Sequence, residues 1–146
     1  MAQVQRSVAT LRISGDDLDP AEITRLLGCA PSSAQTKGER IVGRNSGSVR
    51  IAFTGMWRLS ASDRQPEDLD GQIAELLSKL TDDLGVWASI AGKHRLDLFC
   101  GLFMDGGNEG LSITPQSLAA LGLRQIEIGL DIYAGDGDDD GKSESP

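Results

Sequence analysis

The chain is poor in the residues that carry most enzyme chemistry. Of 146 residues, one is histidine, His94, and two are cysteine, Cys29 and Cys100. One histidine leaves a hydrolase triad a single possible base. None of the candidate serines Ser14, Ser60 and Ser112 sits in G-x-S-x-G. General acid–base work also needs a group that orients the imidazole, and none is near His94 in sequence. His94 therefore reads as a strand-end histidine sharing parity with Leu96, Leu98 and Cys100. The cysteines lie 71 positions apart without a CxxC or a Cys/His cluster, so free thiols in a reducing compartment are expected and no metal or cofactor is implied. No apolar run approaches 18 residues, which excludes a membrane-spanning helix on pattern. The opening MAQVQRSVATL lacks the apolar core of a signal peptide, and a cytoplasmic location is the default expectation.

Excess positive charge is also missing. The formal net charge is −8, from 14 basic and 22 acidic residues. The last twelve residues, GDGDDDGKSESP, hold five acids and one lysine, so half of the net charge sits there. Neither the body nor the tail has the basic footprint that phosphate neutralisation requires, so nucleic acid is not an expected partner. Residues 135–146 carry no apolar side chain to offset the entropy of ordering, and a disordered acidic tail is expected. Asp136, Asp138, Asp140 and Gly141 imitate the start of a calcium loop, but its twelfth position falls past residue 146. The glycine clusters GDGDDDG and DGGNEG lack the Lys and Ser/Thr of a phosphate loop.

What is present is a well-punctuated α+β pattern. LRISGDDLDPAEITRLLG reads as strand, turn and helix. Leu11 and Ile13 alternate with Arg12 and Ser14. Asp19 stands at an N-cap, Pro20 at the first helical position and Glu22 three residues on, as in a capping box. Ile23, Leu26 and Leu27 form one face, and Gly28 ends the helix. Residues 1–7 read as a frayed start and 29–47 as a loop or mobile hairpin arm. VRIAFTGMWRLSA alternates, with Val49, Ile51 and Phe53 on one side and a bulge or bend at Gly55. A long helical pattern follows through Ile73, Leu76, Leu77, Leu80, Leu84 and Trp87, which Gly85 is expected to divide. Lys93–Met104 is a strand, DGGNEG a turn, and Leu111–Ile113 a short return. Thr114 and Pro115 open a last helix, with Leu118 and Leu121 inward and Gly122 as the stop. QIEIGLDIY closes a single domain over 1–134. The expectation is a mostly antiparallel sheet with about three helices on one face.

Four of these pieces, ISGDDLDPAEITRLLG, GMWRLS, LDLFCGLFMDGGNEGLSITPQSL and LGLRQIEIGLDIY, together resemble a bacterial family known as domain-of-unknown-function family 4279. They cover roughly residues 8–134 and leave out 29–48 and the tail. The resemblance implies a fold and a bacterial origin, and it implies no activity.

Parity gives the best functional clue. Leu96, Leu98, Cys100 and Leu102 share one side of their strand, while Arg95, Asp97, Phe99 and Phe103 share the other. On the last strand Ile126, Ile128, Leu130 and Ile132 oppose Glu127, Asp131 and Tyr133. With helices on the aliphatic face, Phe99, Phe103, Asp131 and Tyr133 line an interaction surface or dimer seam, unless the 29–48 segment folds over them. Gly101 and Gly129 leave room beside the rings. Trp57 is either core or a ring at a groove lip with its indole N–H free. The expected function is a non-catalytic binding module whose partner is a protein or a second copy, with an immunity-like toxin plug as one class. The alternative is a small-ligand binder or enzyme with a pocket near Gly55–Trp57 and Asp105–Gly110.

Overall fold

A computed structural model describes residues 2–135, and residues 136–146 of the expected tail, with the calcium-like run, lie outside them. The chain forms β1 (Ala2–Gln3), β2 (Arg6–Gly15), α1 (Pro20–Leu27), β3 (Ser33–Gln35), β4 (Arg40–Val42), β5 (Val49–Ile51) and β6 (Gly55–Ser60). Then follow α2 (Leu69–Ser78), α3 (Leu84–Ala91), β7 (Arg95–Phe103), β8 (Glu109–Gly110), α4 (Pro115–Leu123) and β9 (Glu127–Tyr133). The main sheet has the order β3-β6-β2-β7-β9. Its pairs are antiparallel except β7–β9, which is parallel because α4 carries the chain back across the sheet. The fold is α+β and largely antiparallel. It has four helices where three are expected.

The core lies between the helices and one face of this sheet. Ala9, Leu11 and Ile13 of β2, Trp57 and Leu59 of β6, and Leu96, Leu98 and Cys100 of β7 meet Ile23 and Leu27, Ile73 and Leu76, Trp87 and Ile90, and Leu121 from the four helices. Burial along β2 alternates residue by residue, as the period-2 pattern predicts. Burial pushes the Cys100 thiol up to about 12, with the charge of Asp97 adding to it, so this thiol is inert.

Helix starts follow the cap signals, with one difference. Asp19 accepts from Ala21 N–H at 3.1 Å, but the reciprocal bond from Asp19 N–H to the Glu22 side chain is not made among the described residues. Gly28, at φ 82°, ends α1. Thr114 accepts from Ser117 N–H at 3.3 Å, and its own hydroxyl donates to Asp70 at 3.1 Å. Ser117 Oγ and Thr114 N–H also donate to that carboxylate, and these bonds hold its pKa below the usual range. Asp19→Ala is expected to cost about 0.5–2 kcal/mol, and Thr114→Ala the upper end of that range, since it also loses Asp70. Urea unfolding of the two variants checks the order.

Several expectations are corrected. The N-terminus is not frayed: Val4 and Ser7 are buried, and Ser7 exchanges backbone hydrogen bonds with Arg64. Gly85 does not divide the long helical pattern. The chain leaves α2 at Lys79 and restarts where Asp83 caps Gly85 N–H at 2.9 Å, while Trp87 Nε1 donates to Thr81 O at 2.9 Å and pins the turn. Leu111–Ile113 forms no strand. Instead β8 pairs in parallel with β1. In α4, Leu118 is 51% exposed and Gly122 lies inside the helix, because α4 packs at the sheet edge against α2 and β9 and ends one turn position later.

Gly55 marks a break and not a bulge. The alternation splits into β5, in a separate hairpin with β4, and β6 in the main sheet. A Cβ at Gly55 would stand 2.7 Å from Gly15 O, so only glycine permits this approach of the strand ends.

Candidate functional site

The face of the sheet opposite the helices carries the polar and aromatic side chains in register. Four rows cross it. The first is Arg6, Phe103 and Tyr133, and the second Val8, Gly101 and Asp131. The third is Ser60, Thr10, Phe99 and Gly129, and the fourth Arg58, Arg12, Asp97 and Glu127.

Phe103 and Tyr133 stack with centroids 4.7 Å apart and 10° between planes. The guanidinium of Arg6 sits 4.4 Å from the Phe103 centroid, and that of Arg12 sits 4.9 Å from the Phe99 centroid. Arg12 is held there by a two-pronged pair with Asp97, Nε and Nη2 donating at 2.9 and 2.6 Å. The hydrogen bonds to Asp97 raise the Arg12 pKa above its usual value despite partial burial. Tyr133 donates to Asp131 at 2.6 Å, and that bond together with the carboxylate's charge raises the phenol pKa.

Parity thus places Phe99, Phe103, Asp131 and Tyr133 on one surface, as the sequence predicts. It also removes Trp57 from that surface. Trp57 is 0% exposed on the helix face, and its Nε1 donates to Thr24 Oγ1 at 3.1 Å, so the indole is committed to α1. The two halves of the alternative pocket are not brought together either. Gly55 pairs with Gly15 at the end of β2, whereas Phe103, just before Asp105, pairs with Arg6 at its start. Nine residue steps along β2 separate them, about 30 Å at strand rise.

The 29–48 segment does not cover the aromatic rows. β3 joins the opposite edge of the sheet, and β4 and β5 form a hairpin tied to it through Arg50 Nη2, which donates to Gln35 at 3.2 Å. The depression over Phe103 is lined by Gln5, Arg6, Gln65, Met104 and Asp105, with nothing from that segment. Arginine stems and heads cover the rings instead, and Tyr133 stays 44% exposed. Of the two glycines, Gly101 has its space filled by Val8, while a Cβ at Gly129 would meet nothing within 4 Å.

The arrangement holds no nucleophile beside a base. His94 packs its ring against Gly15, and Ser60 Oγ shares its hydrogen bond with Thr10 at 3.0 Å. Among the described residues no three His, Cys, Asp or Glu side chains are grouped to hold a metal. No helix there is long and apolar enough to cross a membrane. Sequence reasoning missed the arginine covers. The signal was available in Arg6 and Arg12, which share parity on β2, but their contacts depend on the β2–β7 register.

Fold and face define a two-layer α+β domain with a bare, aromatic and charged sheet surface. The family model described as "Domain of unknown function (DUF4279)" matches residues 3–135, and the chain belongs to this family. No curated protein and no solved structure matches it.

Proposed function

We propose that the protein is a non-catalytic binding module whose open sheet face docks a protein, either a foreign partner or a second copy of the chain. The carrying observation is the segregation of the sheet. Four helices cover one face except at the end of β9, where Leu130 and Ile132 stay exposed, while the other presents a stacked Phe103–Tyr133 pair and ring-covering arginines. Aromatic and arginine side chains that are half-buried before binding lose little rotamer entropy on docking, which suits them as anchors. A toxin-neutralising immunity protein is one kind of module such a face would serve, and the cytoplasm is the compartment that suits two free thiols.

Phe103→Ser tests this reading. It should weaken association in sedimentation experiments while costing only ~1 kcal/mol of stability, the scale of one lost ring stack. Phe103→Ser that matches wild type both in self-association and in the proteins it captures from the native host would overturn the proposal.

A further inference from the structure

The fourth row of the open face contains a like-charge pair with no structural gain. Arg58 of β6 stands directly opposite Arg12 of β2. Like charges in that position destabilise a sheet. Asp97 pairs with Arg12 and damps its charge, but Arg58 itself has no acidic partner among the described residues. Burial and the charges of Arg12 and Arg50 push the Arg58 pKa down.

Arg58 is one of several cations left over at this corner. Residues 37–58 hold Lys37, Arg40, Arg44, Arg50 and Arg58 against a single acid, Glu39, in a chain of net charge −8. Only Lys37 of the five has an acidic partner among the described residues, Asp16 at 3.1 Å. Arg50 reaches back from the β4–β5 hairpin to Gln35, which is itself buried and donates to Thr54 O at 3.1 Å. Gln35 shares the open face with Arg58, two residues along β3 from Ser33, the residue that pairs with Arg58. The hairpin's other side exposes Val42, Val49 and Ile51, and Phe53 follows at 81% exposure.

We infer that the corner formed by Arg58 and Arg50, with the β4–β5 hairpin beside it, docks an acidic segment of a partner protein. This rests on the protein-binding reading of the open face and names the chemistry of the partner. Guanidinium forks match carboxylates, and the uncovered aliphatic side chains offer a peptide contact that a free anion does not use.

The probe is fluorescein-labelled poly-L-glutamate, followed by anisotropy with the full chain at low and moderate salt. Wild type should bind, more weakly as salt rises. Arg58→Gln should weaken binding by about tenfold, the scale of one lost charge-assisted contact, and its melting temperature should hold or rise. Phe103→Ser should bind the probe as wild type does. Absence of binding by wild type, or unchanged binding by Arg58→Gln, overturns the inference. A fall in melting temperature for Arg58→Gln also overturns it, since the arginine would then be structural. Tighter binding of poly(U) RNA through the same arginines overturns the class of partner. A variant with Asp138, Asp139 and Asp140 all changed to Asn keeps the full length. Tighter probe binding by that variant that disappears when Arg58→Gln is added would give the corner to the chain's own acidic residues and overturn the assignment to a partner. Failure here with Phe103→Ser still impairing association leaves the open-face reading standing and removes this corner alone.

Discussion

Trp57→Ala is expected to cost about 3–5 kcal/mol in urea unfolding, the range for deleting a large buried ring. The side chain is fully buried beneath α1, in register with Ile13 on one side and Ala34 on the other. Truncation empties the centre of the β6–α1 contact and strips Thr24 Oγ1 of its indole donor. Relaxation is limited, because Gly55 locks the start of β6 against Gly15. Trp57→Phe keeps most of the volume and loses the hydrogen bond, so it should cost far less. A loss below ~1 kcal/mol for the alanine variant would instead describe a ring at a surface lip.

Gln72→Leu is the second large effect, at ~3 kcal/mol, although the substitution replaces a polar side chain with an apolar one inside the core. Gln72 is fully buried. Its Oε1 accepts from Ser7 Oγ at 2.6 Å, and its Nε2 donates to Ser7 O at 2.9 Å and Ser62 O at 3.0 Å. Ser7 Oγ in turn accepts from Asp68 N–H at 3.2 Å, just ahead of α2. The leucine variant leaves a hydroxyl and two carbonyls short of partners, each lost partner costing about 1–3 kcal/mol in part. Thermal melting gives the result, and a change within 0.5 kcal/mol, roughly the scatter of surface substitutions, would contradict the network.

This network explains why the start of the chain is unreadable from its residues. MAQVQRS has one sizeable aliphatic side chain in its interior, and hydrophobic pattern therefore assigns it no structure. It is ordered by hydrogen bonds to residues 57 or more positions away, which no local window contains. Local signals carried further elsewhere. The caps Asp19 and Thr114 and the alternation on β2 and β7 describe the local contacts of those residues. Trp57 was legible only in part: alternation with Met56, Arg58 and Ser60 puts the ring on the side of Leu59, but whether that side ends under a helix or at a groove lip is settled only by α1 lying over it.

Strand direction was less accessible. The stretch between Phe103 and Glu127 contains a helix, and such a connection serves a parallel return that a hairpin cannot. The Arg12–Arg58 opposition is a matter of register between segments more than forty residues apart, so it emerges only with the sheet.

The most direct test of the open face uses Gly129, where an added side chain meets nothing within 4 Å. Gly129→Lys puts a bulky cation among the aromatic rows without a clash in the domain. Leu118→Lys, on the exposed side of α4, is the control on the helix side. Tagged wild-type protein and both variants are captured from the native host, and bound proteins, including copies of the chain itself, are quantified by mass spectrometry. The open-face account predicts that Gly129→Lys loses the partners that wild type and Leu118→Lys retain, at an unchanged or higher melting temperature. Retention of those partners by Gly129→Lys, with their loss in Leu118→Lys, would contradict it.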